Sequence, residues 1–422
     1  MKKVSIATWL ALAALHLHAG GFQVNLQGVQ QTGMGHTGAG LAIDASAQLF
    51  NPGGLALARG GVVAGFMPIF GRVSYLESAP GTYTASNEPT MSTPFAAYGA
   101  GRFRLGNDHR LAVGLAVYTP FGSRLLYDDD WKGQFALREI SVKAIYKQLT
   151  VGYSYQDRYG IGASFIHANG NVSLRRAIPA QFADGSYGEV RLDGAGSGLG
   201  FTVGGFAKVS DRFSIGLNYR SKVVFQADAG QAEFTVPDAL AESFPNTTFS
   251  ASLPLPSTTT LGLAYHYKSP DDVVCVDVNY VGWSAYKSLA FDFTDNTDRL
   301  LDSDSPRNYT NSLILRAGWQ MRASELLLLR AGAQLDLSPV PDGYLTPETP
   351  DATKFGLSAG ASFDLGQFRA DAAFLWIEGQ RRTGGSDELQ FYGSYKARAF
   401  IPSIGVAWLF NDNRQAVETE HF

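Results

Sequence analysis

From Gly60 to Phe410 the chain repeats one unit: two stretches of alternating apolar and polar residues, a tight polar turn between them, and a long polar excursion before the next pair. The alternating stretches fall at about 60–75, 93–104, 110–118, 139–155, 159–174, 197–209, 213–226, 257–268, 272–284, 309–321, 325–337, 354–364, 367–379 and 396–410, fourteen in all. Tight turns lie at Gly106-Asn107-Asp108, Gln156-Asp157-Arg158, Ser210-Asp211-Arg212, Ser269-Pro270-Asp271, Arg322-Ala323-Ser324 and Leu365-Gly366-Gln367. The excursions occupy about 76–91, 119–138, 175–196, 227–256, 285–308, 338–353 and 380–395. Period two marks strands with one dry face. An even strand count with tight turns on one side and long loops on the other is the bacterial transmembrane-barrel arrangement. The expected fold class is all-β: a 14-stranded antiparallel transmembrane β-barrel, plugged by a small N-terminal hatch if the segment before it folds inward.

The faces can be assigned. In the stretch from 213, Ile215, Leu217 and Tyr219 oppose Ser214, Gly216, Asn218, Arg220 and Lys222. In that from 257, Leu261, Leu263, Tyr265 and Tyr267 oppose Thr260, Gly262, Ala264, His266 and Lys268. In that from 354, Phe355, Leu357, Ala359, Ala361 and Phe363 oppose Lys354, Gly356, Ser358, Gly360 and Ser362. A charge on a lipid-facing wall costs about 2–4 kcal/mol at the midplane, so these Lys and Arg are expected to point inward. The apolar parity slips between Tyr146 and Leu149, which predicts a β-bulge near Lys147. Thr119-Pro120 is expected to end the third strand, since proline cannot continue a central ladder.

Charged residues make up only 17% and aromatics 12%, with 47 Gly, a balance that suits a barrel in lipid. Residues 1–19 read as a signal peptide: Lys2 and Lys3, the apolar run Ile6–Leu15, and cleavage after Ala19. Beyond it no apolar run reaches the roughly 20 residues of a spanning helix, so the exported chain is either soluble or a closed barrel. The lone Cys275 excludes an intramolecular disulfide. A net charge of -4 leaves no basic footprint for nucleic acid. His36, His109, His167, His266 and His421 form no metal-ligand spacing and flank no recognisable nucleophile. The expectation is therefore no catalytic residue, no metal, no cofactor and no enzymatic activity.

The remaining pieces are a 20–59 segment, the 60–410 barrel and a polar periplasmic tail at 411–422. Gly20 to Arg59 does not alternate and carries two short helical signals. Asp44 can cap Ala45–Phe50, and Asn51 can cap a second turn with Pro52 at its first position. A fourteen-stranded lumen is wide enough to need filling, so this segment is either a plug or a periplasmic linker. The last strand carries Ile404, Val406, Trp408 and Phe410 on one face, similar to the closing-strand signal read by the barrel-assembly machinery.

Phe22-Gln23-Val24-Asn25, Gly33-x-Gly35, Ala42, Ala45 and Asn51-Pro52-Gly53-Gly54-Leu55 together resemble the hatch of the FadL-type long-chain fatty-acid transporters, which usually have Asn-Pro-Ala where this chain has Asn51-Pro52-Gly53. Ser338-Pro339-Val340-Pro341, Pro350-Asp351 and Phe355-x-Leu357-Ser358-Ala359-Gly360 are a more specific match. Pro120-Phe121-Gly122 with Trp131-x-Gly133, Asn218-Tyr219-Arg220-Ser221 and Trp283-Ser284 add weaker echoes in family order. The resemblance implies passive uptake of hydrophobic molecules by a barrel in the Gram-negative outer membrane. Extracellular loops capture the substrate, an internal pocket at the first residues holds it, and a gap at an inward kink of the third strand releases it sideways.

By that logic Phe22 and Val24 project into the pocket, the alternative being that Phe22 is simply the first packed residue of the plug; Asn51, Pro52 and Gly53 set the hatch; Thr119 and Pro120 contribute to the opening. Val236, Leu240 and Phe244 share one face of a short helix, either an outer capture groove or a packed loop. Arg175 and Arg176 stand where the family can place a carboxylate-binding arginine, although solvation is the commoner fate of such residues. The family's second basic partner is replaced by Thr310 and Asn311, with Arg307 nearby. Long-chain fatty acids are the leading expected substrate, with neutral aromatic hydrocarbons or a general hydrophilic pore as alternatives. Expected partners are such hydrophobes, outer-membrane lipids and the assembly machinery, with the chain itself a monomer.

Overall fold

The computed structural model describes Gln23 and residues 26–410; the expected signal peptide, Phe22, Val24 and the 411–422 tail lie outside these residues. Fourteen strands follow the alternating stretches in order. They are β1 (Gly61–Phe66, continued as Ile69–Glu77), β2 (Phe95–Arg104), β3 (His109–Leu126), β4 (Glu139–Tyr155), β5 (Tyr159–Gln181), β6 (Tyr187–Lys208) and β7 (Phe213–Arg220, continued as Val223–Thr235). Then come β8 (Thr247–Leu255, continued as Thr258–His266), β9 (Val273–Val281 and Ser288–Phe293), β10 (Ser303–Pro306 and Ser312–Arg322), β11 (Leu327–Asp336), β12 (Lys354–Leu365), β13 (Phe368–Gly379, with an outlying Arg382–Ser386) and β14 (Phe391–Leu409). Each pairs antiparallel with its neighbour, and β1 closes the ring by pairing with both β14 and β2.

Alternation sets the two faces. In β4, Leu149 and Val151 are each 48% exposed while Gln148 and Thr150 between and beside them are buried. An exposed apolar wall over a buried polar lining is the inverse of a soluble protein and matches a barrel in lipid. Aromatic girdles edge the belt: Trp408 and Phe410 pack edge-on at the turn side, and Phe374 and Phe400 lie 6.3 Å apart at the loop side.

Three expectations about strand detail need correction. The third strand does not stop at Thr119-Pro120 but runs on to Leu126, absorbing both residues in a bulge: Tyr118 opposes Tyr146 and Phe121 opposes Ala144. The bulge expected near Lys147 is absent, since β4 and β5 pair without a shift. The apolar parity slips there because Ala144 and Tyr146 face an apolar part of the lumen, whereas Leu149 and Val151 face lipid. Lys222, expected inside, is exposed, because one extra residue in β7 separates Arg220, opposite Thr202, from Gln226, opposite Ser197.

The strands also outrun the expected loops. β5 and β6 reach 23 and 22 residues, well beyond the lipid belt. Cysteines placed in the 236–246 loop should therefore react with a membrane-impermeant maleimide on intact cells, whereas Asn107→Cys and Asp211→Cys should not. Labelling at the tight turns would invert the topology.

Residues 26–59 fill the lumen. They hold α1 (Val29–Gly33), α2 (Ala47–Phe50) and a 3-10 turn at Pro52–Gly54. The second helix begins two residues later than the Asp44 cap implied, because the Asp44 carboxylate accepts from Ser46 N–H at 2.9 Å and holds a turn there instead. The Asn51 cap does form: its Oδ1 accepts from Gly53 N–H at 3.0 Å, while its Nδ2 donates to the carbonyls of Ala39 and Gly205. This turn presses on the wall so closely that a Cβ on Gly162 would lie 2.3 Å from the Pro52 carbonyl oxygen, and one on Gly53 would lie 2.8 Å from that of Gly204. Only glycine permits that approach.

Charges fasten the plug. Arg369 bonds Asp44 at 2.5 Å and Asp371 at 3.1 Å, and Arg330 donates to Gln30 at 2.6 Å. On the opposite wall Asp277 Oδ2 accepts from the backbone N–H groups of Gly38 and Ala39. Burial works against the Asp44 charge, but Arg369 and the Ser46 hydrogen bonds outweigh it and hold the carboxyl below its usual range.

Candidate ligand pathway

Above the hatch, the inner faces of β3–β9 line an apolar cavity whose space, counted out to its open side, is about 840 Å³. Its walls are Ile140 and Val142 from β4, Val172 and Leu174 from β5, Leu192 from β6, Phe225 from β7, Phe249 and Leu253 from β8, and Leu289 and Phe291 from β9. Its few polar positions include Ser123, Tyr286, Glu348 and Thr349. Glu348 is neutralised by Arg307 at 2.7 Å, a pair that is itself nearly buried. Burial opposes the Arg307 charge, but Glu348 and the flanking Tyr286 and Tyr309 raise its affinity for the proton. The cavity thus offers an apolar surface with no uncompensated charge.

Outside it, an apolar groove of about 950 Å³ lies among the long loops. Phe135, Ile178, Phe234, Phe244, Phe293 and Leu300 line it, and Leu192 and Phe291 form a wall common to groove and cavity. Phe234 and Phe244 pack 5.9 Å apart. Arg176 and Arg299 stand at its rim, and among the described residues neither makes an ion pair. The neighbouring Arg175 is differently placed, in ion pairs with Asp129 and Glu189 at 3.1 Å and Glu139 at 3.7 Å.

Below the cavity the lining changes character. A chamber of about 480 Å³ beside the hatch is walled by Gln23, His36, Asn218, Arg220, Asp277, Asn279 and Arg316, among others. Gln23 Oε1, His36 Nδ1, Asn218 Oδ1, Asp277 Oδ1, Asn279 Nδ2 and Arg316 Nε are all buried there without a protein hydrogen-bond partner. Such a lining suits water or a polar group, since an orphaned polar atom costs about 1–3 kcal/mol.

The β3 bulge lies at the cavity's edge, with Ser123 just beyond it in the cavity wall. The β2 ladder ends with Ala96 opposite Tyr118, and the next described contacts on that side come from Thr90 to Arg124 and Glu88 to Leu126. The Thr119 carbonyl is taken by the hatch instead, accepting from Gln27 Nε2 at 2.8 Å. Gln23 makes a β-bridge to Phe121. Tyr118, Tyr146 and Phe121 cluster on the inner side, Tyr118 and Tyr146 at 5.7 Å.

Of the residues singled out from sequence, Arg176 and Phe244 meet in the outer groove, and Thr119 and Pro120 form the bulge. Asn51, Pro52 and Gly53 lock the hatch turn to the wall. Leu240 is half-buried on a 3-10 turn, Asp238–Ser243, and does not line the groove. Phe22 and Val24 lie outside the described residues, although Gln23 between them sits at the bulge. Sequence reasoning missed Phe225, which lies within a stretch read as strand, and Phe249, Leu253 and Phe291, whose signal was the short alternating runs at 247–255 and 288–293, read as loop.

His36 ties the hatch to this site through Nε2 at 3.1 Å from the Gln27 carbonyl. Burial first, then Arg316, pushes its pKa well below 6.5, so the folded plug holds it neutral. With the folded pKa depressed, its stabilising contribution is complete above the unfolded value and is lost as pH falls toward the folded one. Once intrinsic exchange rates are corrected for pH, the protection factors of residues 26–45 should therefore fall as pH drops below about 6.5, and His36→Asn should remove that step. A profile flat in both proteins would contradict this role.

A closed strand barrel with a filled lumen, an apolar inner cavity and an exposed apolar outer wall has the architecture of an outer-membrane transport barrel. The chain belongs to the outer membrane protein transport family described as OMPP1/FadL/TodX, which it matches over residues 10–410. An outer-membrane protein of Neisseria meningitidis serogroup B is 25% identical, over 89% of this chain and 90% of its own. Among solved structures, a Pseudomonas aeruginosa FadL homologue superposes with a TM-score of 0.78 at 18% identity, covering 93% of this chain and 100% of that one. The Pseudomonas putida toluene transporter TodX gives 0.66 at 17%, covering 94% and 100%. At these identities the structures establish the shared fold. The family establishes transport of hydrophobic compounds across the outer membrane.

Proposed function

We propose that this barrel takes up long-chain fatty acids passively: the outer groove captures them, the apolar cavity holds the tail, and the β3 bulge releases them sideways into the bilayer. The observation that carries this reading is the apolar cavity of about 840 Å³, with the hatch below it and interrupted wall at its edge. An alkyl chain gains about 0.8 kcal/mol per methylene on leaving water, so a cavity without uncompensated charge is a favourable intermediate station. Arg176 and Arg299 give the groove a means of meeting a carboxylate, as charge-assisted hydrogen bonds do. The route needs no cofactor and no catalytic group, and a hydrophilic pore is disfavoured by the filled lumen.

Neutral hydrocarbons are the second reading, favoured by one observation: Arg175, beside the cavity-lining Leu174, and Arg307, bound to the cavity-lining Glu348, are already committed to carboxylates. Uptake into proteoliposomes separates the two. Fatty-acid uptake should rise with chain length until the cavity is full, and Arg176→Gln/Arg299→Gln should slow it several-fold while leaving a neutral aromatic unchanged. If the double variant takes up both alike, the neutral-hydrocarbon reading stands and the fatty-acid reading falls.

A further inference from the structure

The outer wall carries a feature that transport does not use. Arg72 of β1 and Arg398 of β14 are direct register partners, both exposed and both on the lipid-side face. Like charges directly opposite each other on one sheet face repel, so the pair costs stability unless something compensates it. The nearby carboxylate does not: Glu378, the register partner of Arg398 on β13, is held by Lys396 at 2.6 Å. Among the described residues neither arginine makes an ion pair. With Lys396 and Glu378 included, the cluster keeps an excess of positive charge.

Its height on the barrel identifies what covers it. Two residues toward the turn side lies the aromatic row of Phe70 and Phe400, also register partners, with Trp376 opposite Phe400. Such a girdle marks the boundary of the hydrocarbon layer, so the next outward-facing row stands at headgroup level. There a guanidinium pair meets the phosphates of the outer leaflet, and planar bidentate donors match phosphate oxygens better than ammonium groups do. We propose that Arg72 and Arg398 form a clamp for the phosphate of an outer-leaflet glycolipid such as lipopolysaccharide, fixing one lipid against the β1–β14 seam where the barrel closes.

The test is binding by the purified full-length barrel in detergent, followed by native mass spectrometry. Phosphorylated lipid A should bind, and dephosphorylated lipid A should bind roughly thirtyfold more weakly, the loss expected when the contribution of two arginines at an anionic surface is removed. Arg72→Gln/Arg398→Gln should show the same loss toward the phosphorylated lipid, with folding checked by heat-modifiable gel mobility. Arg72→Lys/Arg398→Lys should recover part of it, which guards against a general defect. Equal binding of both lipids, or of the phosphorylated lipid by the Gln variant, would overturn the clamp. So would displacement of the lipid by millimolar inorganic phosphate, which would make the pair a site for small anions.

Discussion

Deleting residues 20–59 is expected to turn a closed barrel into an open, ion-conducting one in planar bilayers. The hatch occupies the lumen, and a ring of this size without it leaves an aqueous passage. The wall should still fold, because its strand ladder closes through β1 and β14 without hatch residues. Arg369→Ala is the milder form of the same test. Removing one partner of a buried ion pair costs about 3–5 kcal/mol, here the Asp44 carboxylate being left unpaired, so flickering conductance should replace silence. Unchanged silence in the deletion would mean that something other than the hatch blocks the barrel.

Removing Pro120 should abolish lateral release. The bulge exists because Thr119 and Pro120 together face one residue of β4, Ile145, and proline lacks the N–H that would let the ladder close over it. With one residue fewer, β3 can pair with β4 in continuous register and the bulge at the cavity's edge is removed. Uptake should fall to the level of an empty membrane while ligand binding to the cavity persists. That split distinguishes a closed exit from a misfolded barrel; uptake at the parent rate would move the exit elsewhere.

The barrel was legible in sequence because lipid imposes a strict rule on every second residue, and the tight turns punctuate it. Leu261 and Leu263 outside with Thr260 inside show how little ambiguity remains within the belt. Above the belt both faces of a strand meet protein or water, the rule lapses, and Thr247–Leu255 and Ser288–Phe293 looked like loop. Those segments supply Phe249, Leu253 and Phe291, so most of the cavity was hidden for the same physical reason. Pro120 was correctly read as an interruption but its form was not, since a bulge and a strand end leave the same local trace. Arg175 and Arg176 are adjacent and chemically alike. Only three-dimensional neighbours show that the first is spent on Glu189, Glu139 and Asp129 while the second faces the groove.

The central claim is that a hydrophobic tail rests in the cavity between β3 and β9. Crystals of the barrel soaked with a fatty acid brominated near its methyl end test it directly, because the bromine can be located by anomalous scattering. The account predicts a single strong peak among Phe225, Phe249, Leu253 and Phe291. A peak in the polar chamber beside His36 and Asp277, or none inside the barrel, would contradict it.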